Sequence, residues 1–266
     1  MLNPEPYTML IPGLVSITFR ELTPAQIIAL AAEAGLRSIE WGGDVHVPHG
    51  DLTAAQRVAG LTGDAGLEVS AYGSYYRAAG QQSTGVDFES VCKTAVAVGA
   101  PIIRVWAGAV GSSQADLAVR RAVREDLQNA CDKAATDGIE VSLEFHGGTL
   151  ADTPEAATRL VEEVARPNLS TYWQPPNGVE TAECVRGLQS MLRHVRNVHV
   201  FHWWPDHEHR LPLQTGADRW REYFRILAQD PGRRHASLEF VRNGEIDQFK
   251  KDALTLHELL DQLPVK

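Results

Sequence analysis

Residues Val198–Arg210, "VHVFHWWPDHEHR", hold four histidines, two acids and two tryptophans in thirteen positions. Imidazoles and carboxylates at this density are ligands for a divalent ion or carriers of protons. Density alone does not say which histidine does either. Three further segments, "RSIEW", "VSLEF" and "ASLEF", each carry a Ser–aliphatic–Glu triplet ending at Glu40, Glu144 and Glu239. Two carboxylates converging on an imidazole could hold a metal, or could take a proton from one face of a carbon and return one to another. Whether they converge depends on the elements that carry them.

Short β-rich runs alternate with longer helical patterns along the chain. The strand candidates are Leu14–Ile17, Ser38–Trp41, Glu68–Tyr72, Ile102–Trp106, Glu140–Phe145, Leu169–Trp173, Val195–Phe201 and Ala236–Phe240. Between them, "TPAQ" offers an N-cap threonine (Thr23), a first-turn proline and a glutamine placed for a capping box. "DTPEAATRLVEEV" begins in the same way at Thr153 and Pro154, and "EAGL", "DAGL" and "TDGI" each put a glycine at a helix end. Eight βα units of about 33 residues predict an α/β fold, a (β/α)₈ TIM barrel forming a single domain over residues 1–266. The competitor is an open doubly wound sheet, which would more often carry a Gly-rich phosphate loop after its first strand; "GLVSITFREL" is not one.

In such a barrel the active site lies at the C-terminal strand ends, and side chains alternate between lumen and helix layer. Apolar Ile39 and Trp41, Val141, Leu143 and Phe145, Val198 and Val200, and Leu238 and Phe240 form the helix-facing sets. That leaves Ser38 and Glu40, Ser142 and Glu144, Asn197 and His199, and Ser237 and Glu239 facing the lumen. The same parity turns Tyr172 and Gln174 inward. His199 is therefore the histidine of choice. His202 sits at the strand edge, while His207 and His209 fall in a loop opened by Pro205, where parity no longer fixes direction and mobility is expected. Glu144, Gln174, His199 and Glu239 thus cap strands five to eight, a donor set suited to one divalent cation at roughly 2.0–2.3 Å. The structural alternative is that the buried glutamates pair with a cation such as Arg104 and the histidine is hydrogen-bonded in place; unpaired lumen carboxylates would cost several kcal/mol each.

A formal net charge of −9 argues against a protein that grips nucleic acid through phosphates. Cys92, Cys131 and Cys184 are odd in number and widely spaced, which points to reduced, buried thiols and a cytoplasmic setting. The opening "MLNPEPYTML" lacks the basic and apolar regions of a secretory signal. The longest apolar run, "TAVAVGAPIIRVWAGAVG", is broken by Gly99, Pro101 and Arg104 and reads as helix end, turn and strand rather than a membrane span. No membrane or nucleic-acid partner is expected; a homo-oligomer stays open.

"SITFRELTPAQIIALAAEAGLRSIEWGGDVHVPHGD", "LEFHGGTLADTPE", "NVHVFHW" and "LEFV", in this order and spacing, resemble the sugar phosphate isomerase/epimerase family of xylose-isomerase-like barrels. Its members are similar to ketose 3-epimerases, hydroxypyruvate isomerases and inosose dehydratases, and more distantly to abasic-site endonucleases. The resemblance implies a metal held by Glu, Asp, His and Glu from strands five to eight. These fall on Glu144, Gln174, His199 and Glu239, so an amide replaces the aspartate. Asn177 stands where a histidine is common, and His202 where an aspartate is often found. An arginine that holds substrate oxygens after strand seven is matched loosely by Arg210.

The implied cofactor is one divalent ion, manganese first, with magnesium, cobalt or zinc as alternatives. Glu144 and Glu239 would be the catalytic pair of a sugar isomerase or epimerase working through an enediolate. Trp106, His146, Asn177, His202, Arg210 and Glu40 are the substrate-side candidates for a small carbohydrate, Glu40 having a salt bridge to Arg104 as its alternative. No phosphate cradle is evident, which favours an unphosphorylated substrate. The rival functions are a dehydratase or lyase on a cyclic polyol or glycoside, an abasic-site-type phosphodiesterase, and a non-catalytic sugar-binding barrel or subunit, the last suggested by Gln174.

Overall fold

The computed structural model describes residues 8–80 and 85–263. The stretch Met1–Tyr7, most of the segment read as lacking a secretory signal, lies outside them. Eight parallel strands close into a barrel in chain order, β1 pairing with both β2 and β8. They are β1 (Thr8–Val15), β2 (Ser38–Gly42), β3 (Glu68–Arg77), β4 (Ile102–Trp106), β5 (Glu140–Leu143), β6 (Leu169–Trp173), β7 (Val195–Val200) and β8 (Gly232–Leu238). Closure excludes the open doubly wound sheet. Outside the ring lie α1 (Pro24–Glu33), α2 (Leu52–Asp64), α3 (Phe88–Val98), α4 (Leu117–Ala135), α5 (Pro154–Val164), α6 (Thr181–Met191), α7 (Ala217–Leu227) and α8 (Ile246–Asp261).

Local chemistry sets the helix ends as expected. The Thr23 N–H donates to Gln26 Oε1 at 2.9 Å and the Gln26 N–H donates to Thr23 Oγ1 at 3.4 Å, a complete capping box ahead of Pro24. Thr153 Oγ1 accepts from the Ala156 N–H at 3.1 Å. Gly35, Gly66 and Gly138 take φ of 71°, 71° and 69°, the left-handed turn that ends a helix without a Cβ penalty. The three cysteines are buried and unpaired. Among the described residues, no helix is long and apolar enough to cross a membrane.

The main core is the layer between barrel and helices, and it contains Ile39, Trp41, Val141, Leu143, Phe145, Val198, Val200 and Leu238. A second, small cluster of Ala71, Ile102 and Tyr172 fills the lumen beneath the site. The strand bounds differ from the sequence reading at both ends of the chain. β1 begins six residues earlier than Leu14 and runs through Pro12 and Gly13. A Cβ at Gly13 would stand 2.5 Å from Ser38 Oγ and 2.8 Å from Ser237 Oγ, so the glycine lets three strands approach. β8 begins at Gly232 and ends at Leu238, and β3 continues five residues beyond Tyr72.

His235 lies deep in the lumen, 6% exposed, with Nδ1 2.8 Å from Ser38 Oγ. Burial, aided by Arg233, pushes its pKa down to about 4. The unfolded chain takes up this proton near pH 6.5, so between about pH 6.5 and 4 it binds a proton that the folded chain refuses, and stability falls as pH falls. His235→Asn should flatten the pH dependence of denaturant unfolding in that window by about 3 kcal/mol at most. An unchanged slope between pH 7 and 5 would show that His235 does not carry it.

Candidate metal centre at the barrel mouth

Glu144, Gln174 and Glu239 lie one residue past the ends of β5, β6 and β8, and His199 is the penultimate residue of β7. The ladder nonetheless holds the two glutamates: the Glu144 N–H donates to Val105 O at 2.9 Å and the Glu239 N–H to Val200 O at 3.0 Å. Their strand-like direction therefore survives the formal strand end. Phe240 is where it fails. Expected in the helix layer, Phe240 has φ 48° and lines the mouth instead, its N–H donating to Thr18 Oγ1 at 3.1 Å. Once the chain leaves the ladder, parity stops predicting direction.

One donor atom each from Glu144, His199 and Glu239 fall within 4.8 Å of one another, all three residues buried. His199 Nδ1 is 3.5 Å from Glu239 Oε2 and 3.1 Å from Gln174 Oε1, so the amide shares the same side of the ring. A divalent ion bonded at about 2.0–2.3 Å keeps opposite donors no more than about 4.6 Å apart, so the cluster fits one after slight contraction. Carboxylate and amide oxygens with one imidazole nitrogen suit magnesium, manganese or zinc better than a soft ion.

Behind these groups runs a continuous polar chain. Glu40 Oε2 is 3.3 Å from His199 Nε2, and Glu40 Oε1 accepts from Arg104 Nε at 2.6 Å. Arg104 Nη1 and Trp106 Nε1 both donate to Glu144 Oε2, leaving the other Glu144 oxygen for the centre. The structural alternative of Arg104 pairing with buried glutamates is thus present together with the donor cluster. Burial would push the Glu40 carboxyl up, but Arg104 and then His199 outweigh it and hold it at about 2. Glu144 is likewise driven up by burial and brought below the usual carboxylate range by Arg104 and His199. Glu239 stays above that range, because burial and the Glu144 charge exceed the pull of His199. His199 is raised: Glu239 and Glu40 overcome its burial.

A cavity of about 200 Å³ opens above the cluster, lined by Trp106, Glu144, His146, Gln174, Trp203 and Glu239 among others. At about 30 Å³ per water it holds roughly seven water-sized groups, enough for a monosaccharide-sized ligand. A larger hollow of about 600 Å³ lies at the opposite pole, beside the strand starts at Glu140 and Val195, away from this chemistry.

The remaining candidates separate. His146 is stacked on Trp106, centroids 5.2 Å apart, within the cavity wall. The Arg210 guanidinium lies 4.6 Å from the Phe240 ring centroid, at the rim. Asn177 is exposed beyond β6. The ring of His202 packs against Gly216, where a Cβ would meet it at 2.5 Å, and so leans toward the helix layer. Glu40 is 1% exposed beneath the cluster, with both oxygens engaged by protein. His207 and His209 are exposed, and His209 Nδ1 is 2.7 Å from Asp206 Oδ1. Their loop forms a hairpin: Trp203 bridges Arg210, and the Trp204 N–H donates to His209 O at 3.0 Å. Sequence reasoning missed Arg20 and Tyr75, which also line the cavity, Arg20 Nη2 donating to the Tyr75 hydroxyl at 2.8 Å. For Tyr75 the available signal was the polar-aromatic run "GSYYR", which directly follows the expected strand end at Tyr72.

A closed eight-stranded βα ring defines a TIM barrel, and its carboxylate–histidine cluster is a candidate site at the C-terminal strand ends, where such barrels carry theirs. More particularly, the chain belongs to the xylose isomerase-like TIM barrel family, whose sequence profile matches residues 28–259. No curated protein sequence matches it. Among solved structures it is similar to the probable 3-DHS dehydratase AsbF from Bacillus anthracis, with TM-score 0.76, 20% identity, and 94% of this chain and 99% of that one covered. It is similar too to the D-allulose 3-epimerase of a Methylomonas species in complex with D-allulose, with TM-score 0.71, 18% identity and coverage of 98% and 100%. A xylose isomerase-like barrel from Mycobacterium smegmatis in complex with magnesium gives TM-score 0.66 at 16% identity, covering 94% and 96%. At these identities the likeness is one of fold.

Proposed function

We propose that this barrel is a divalent-metal-dependent isomerase or epimerase of a sugar or related hydroxyketone, with Glu144, Gln174, His199 and Glu239 holding the ion, manganese first. The observation that carries this is the convergence of Glu144, His199 and Glu239 donor atoms within 4.8 Å at the floor of a sugar-sized cavity. When bound, the ion would supply Lewis acidity, polarising adjacent carbonyl and hydroxyl oxygens and acidifying the C–H bond between them. Glu144 and Glu239 come from β5 and β8, with β6 and β7 between them, and so approach the reacting carbon from different sides. One withdraws the proton and the other returns it, giving epimerisation; return to the neighbouring carbon gives aldose–ketose isomerisation. Arg104 and Trp106 fix one Glu144 oxygen and leave the other facing the centre. Trp106, His146 and Trp203 line the cavity that would take the sugar, and Arg210 lies beside Phe240 of that lining.

The epimerase likeness and the magnesium-bound relative agree with this reading. A dehydratase shares the first proton abstraction and has a fold relative in the 3-DHS dehydratase, so it is the second reading. A multi-metal phosphodiesterase would ask for further histidines and carboxylates, whereas Glu144–His199–Glu239 is the one such group among the described residues.

The experiment is incubation of Mn²⁺-loaded protein in D₂O with ketoses, aldoses and inososes. Deuterium beside the carbonyl of at least one of them is expected; exchange accompanied by water loss identifies a dehydratase. Metal-bound protein that exchanges with none would move the function to a binding barrel, and phosphodiester cleavage without exchange to the endonuclease class. The His207→Ala/His209→Ala double variant should keep its full metal content by elemental analysis, since both side chains point into solvent. Loss of the ion would place a ligand in that hairpin.

A further inference from the structure

Arg104 is a built-in rival for any cation at this centre. It is 2% exposed and its Nη1 already donates to Glu144, one of the carboxylates the ion would need. Left alone beside Glu144, this guanidinium would neutralise that carboxylate and repel a second positive charge. Glu40 stands on its other side, 1% exposed, with Oε1 2.6 Å from Arg104 Nε. The pair sums to zero, so the charge offered to an ion is that of Glu144 and Glu239 together, −2, with a neutral amide at Gln174. That total matches one divalent cation.

We infer that Glu40 is the residue that sets metal affinity without touching the ion: its charge cancels Arg104 and so keeps Glu144 available. It is a positioning residue acting through Arg104, and this role rests on the metal-dependent reading above. Glu40 has a second contact, Oε2 at 3.3 Å from His199 Nε2, which would orient the imidazole so that Nδ1 faces Glu239 and Gln174. The two roles separate in a double variant. Glu40→Gln leaves Arg104 uncancelled and drops the cluster to −1. Glu40→Gln/Arg104→Gln removes both charges and restores −2, yet still lacks the carboxylate facing His199.

The measurement is the dissociation constant for Mn²⁺, read from free-ion electron paramagnetic resonance on chelator-treated protein whose fold is checked by circular dichroism. Glu40→Gln should bind at least tenfold more weakly than the wild type, and the double variant should recover most of that loss. Unchanged affinity in Glu40→Gln overturns the inference and leaves the metal-dependent reading standing. A double variant as weak as the single one also overturns it, assigning Glu40 to His199 orientation instead. Wild-type protein that binds no Mn²⁺ overturns both. Should Glu40→Gln fail to fold, Glu40→Asp keeps the charge one methylene back; it should stay nearer to wild type than the tenfold loss, and an equal loss overturns the charge role.

Discussion

Mn²⁺-loaded Glu239→Gln protein should exchange the carbon-bound proton of its substrate about 10²–10⁴-fold more slowly than wild type, the range spanned by a positioned general acid or base. The amide keeps the shape of the side chain but can neither accept a proton at neutral pH nor lend full charge to an ion. Glu144→Gln should show a loss of the same order. Because the two carboxylates reach the carbon from different sides, each variant should hurt a different substrate epimer more. Both should also lower manganese content in elemental analysis. Full content in both variants, with exchange intact, would remove these residues from the site altogether. Equal losses on both epimers in both variants would mean that the glutamates act only as ligands, and that another group carries the proton.

Arg104→Ala should lower the melting temperature by roughly 10 °C. Glu40 and Glu144 are nearly inaccessible to water and share this one guanidinium. Removing one partner of a buried ionic network costs about 3–5 kcal/mol, because the charges left behind are uncompensated. In a chain of this size each kcal/mol corresponds to about 2–4 °C. Saturating Mn²⁺ should return part of the loss, since a cation then sits among the orphaned carboxylates. A melting temperature within a degree or two of wild type would show that water or protonation already relieves these carboxylates.

Much of the barrel was legible because β2, β5, β7 and β8 each carry two signals that agree, an apolar set facing the helices and a polar or charged set facing the lumen. Glu144, His199 and Glu239 were found through that alternation, and the backbone ladder extends it one residue past the strand ends at Glu144 and Glu239. Legibility stopped where the cause of a conformation is remote in sequence. Gly13 fell outside the strand candidate that began at Leu14, and nothing local reveals that Ser38 and Ser237 will crowd it. Phe240 was assigned to the helix layer by extrapolation, while its left-handed φ and its bond to Thr18 depend on β1 closing against β8. Arg20 and Tyr75 lie after a short 3₁₀ turn and near the end of a lengthened strand, and only tertiary contact turns them to the mouth.

The order of the polar chain around the ring has a bearing on how the polypeptide is made. Glu40 and Arg104 belong to β2 and β4, whereas Glu144, Gln174, His199 and Glu239 follow from β5 onward. During synthesis the N-terminal half emerges first, so the half-made chain carries an acid and a base that can cancel one another, and none of the candidate metal donors. Glu239, among the last of these residues to appear, belongs to the strand that closes the ring against β1. The full candidate donor set therefore exists only once β8 has closed the ring, and a cation held by all four would report that the ring has shut.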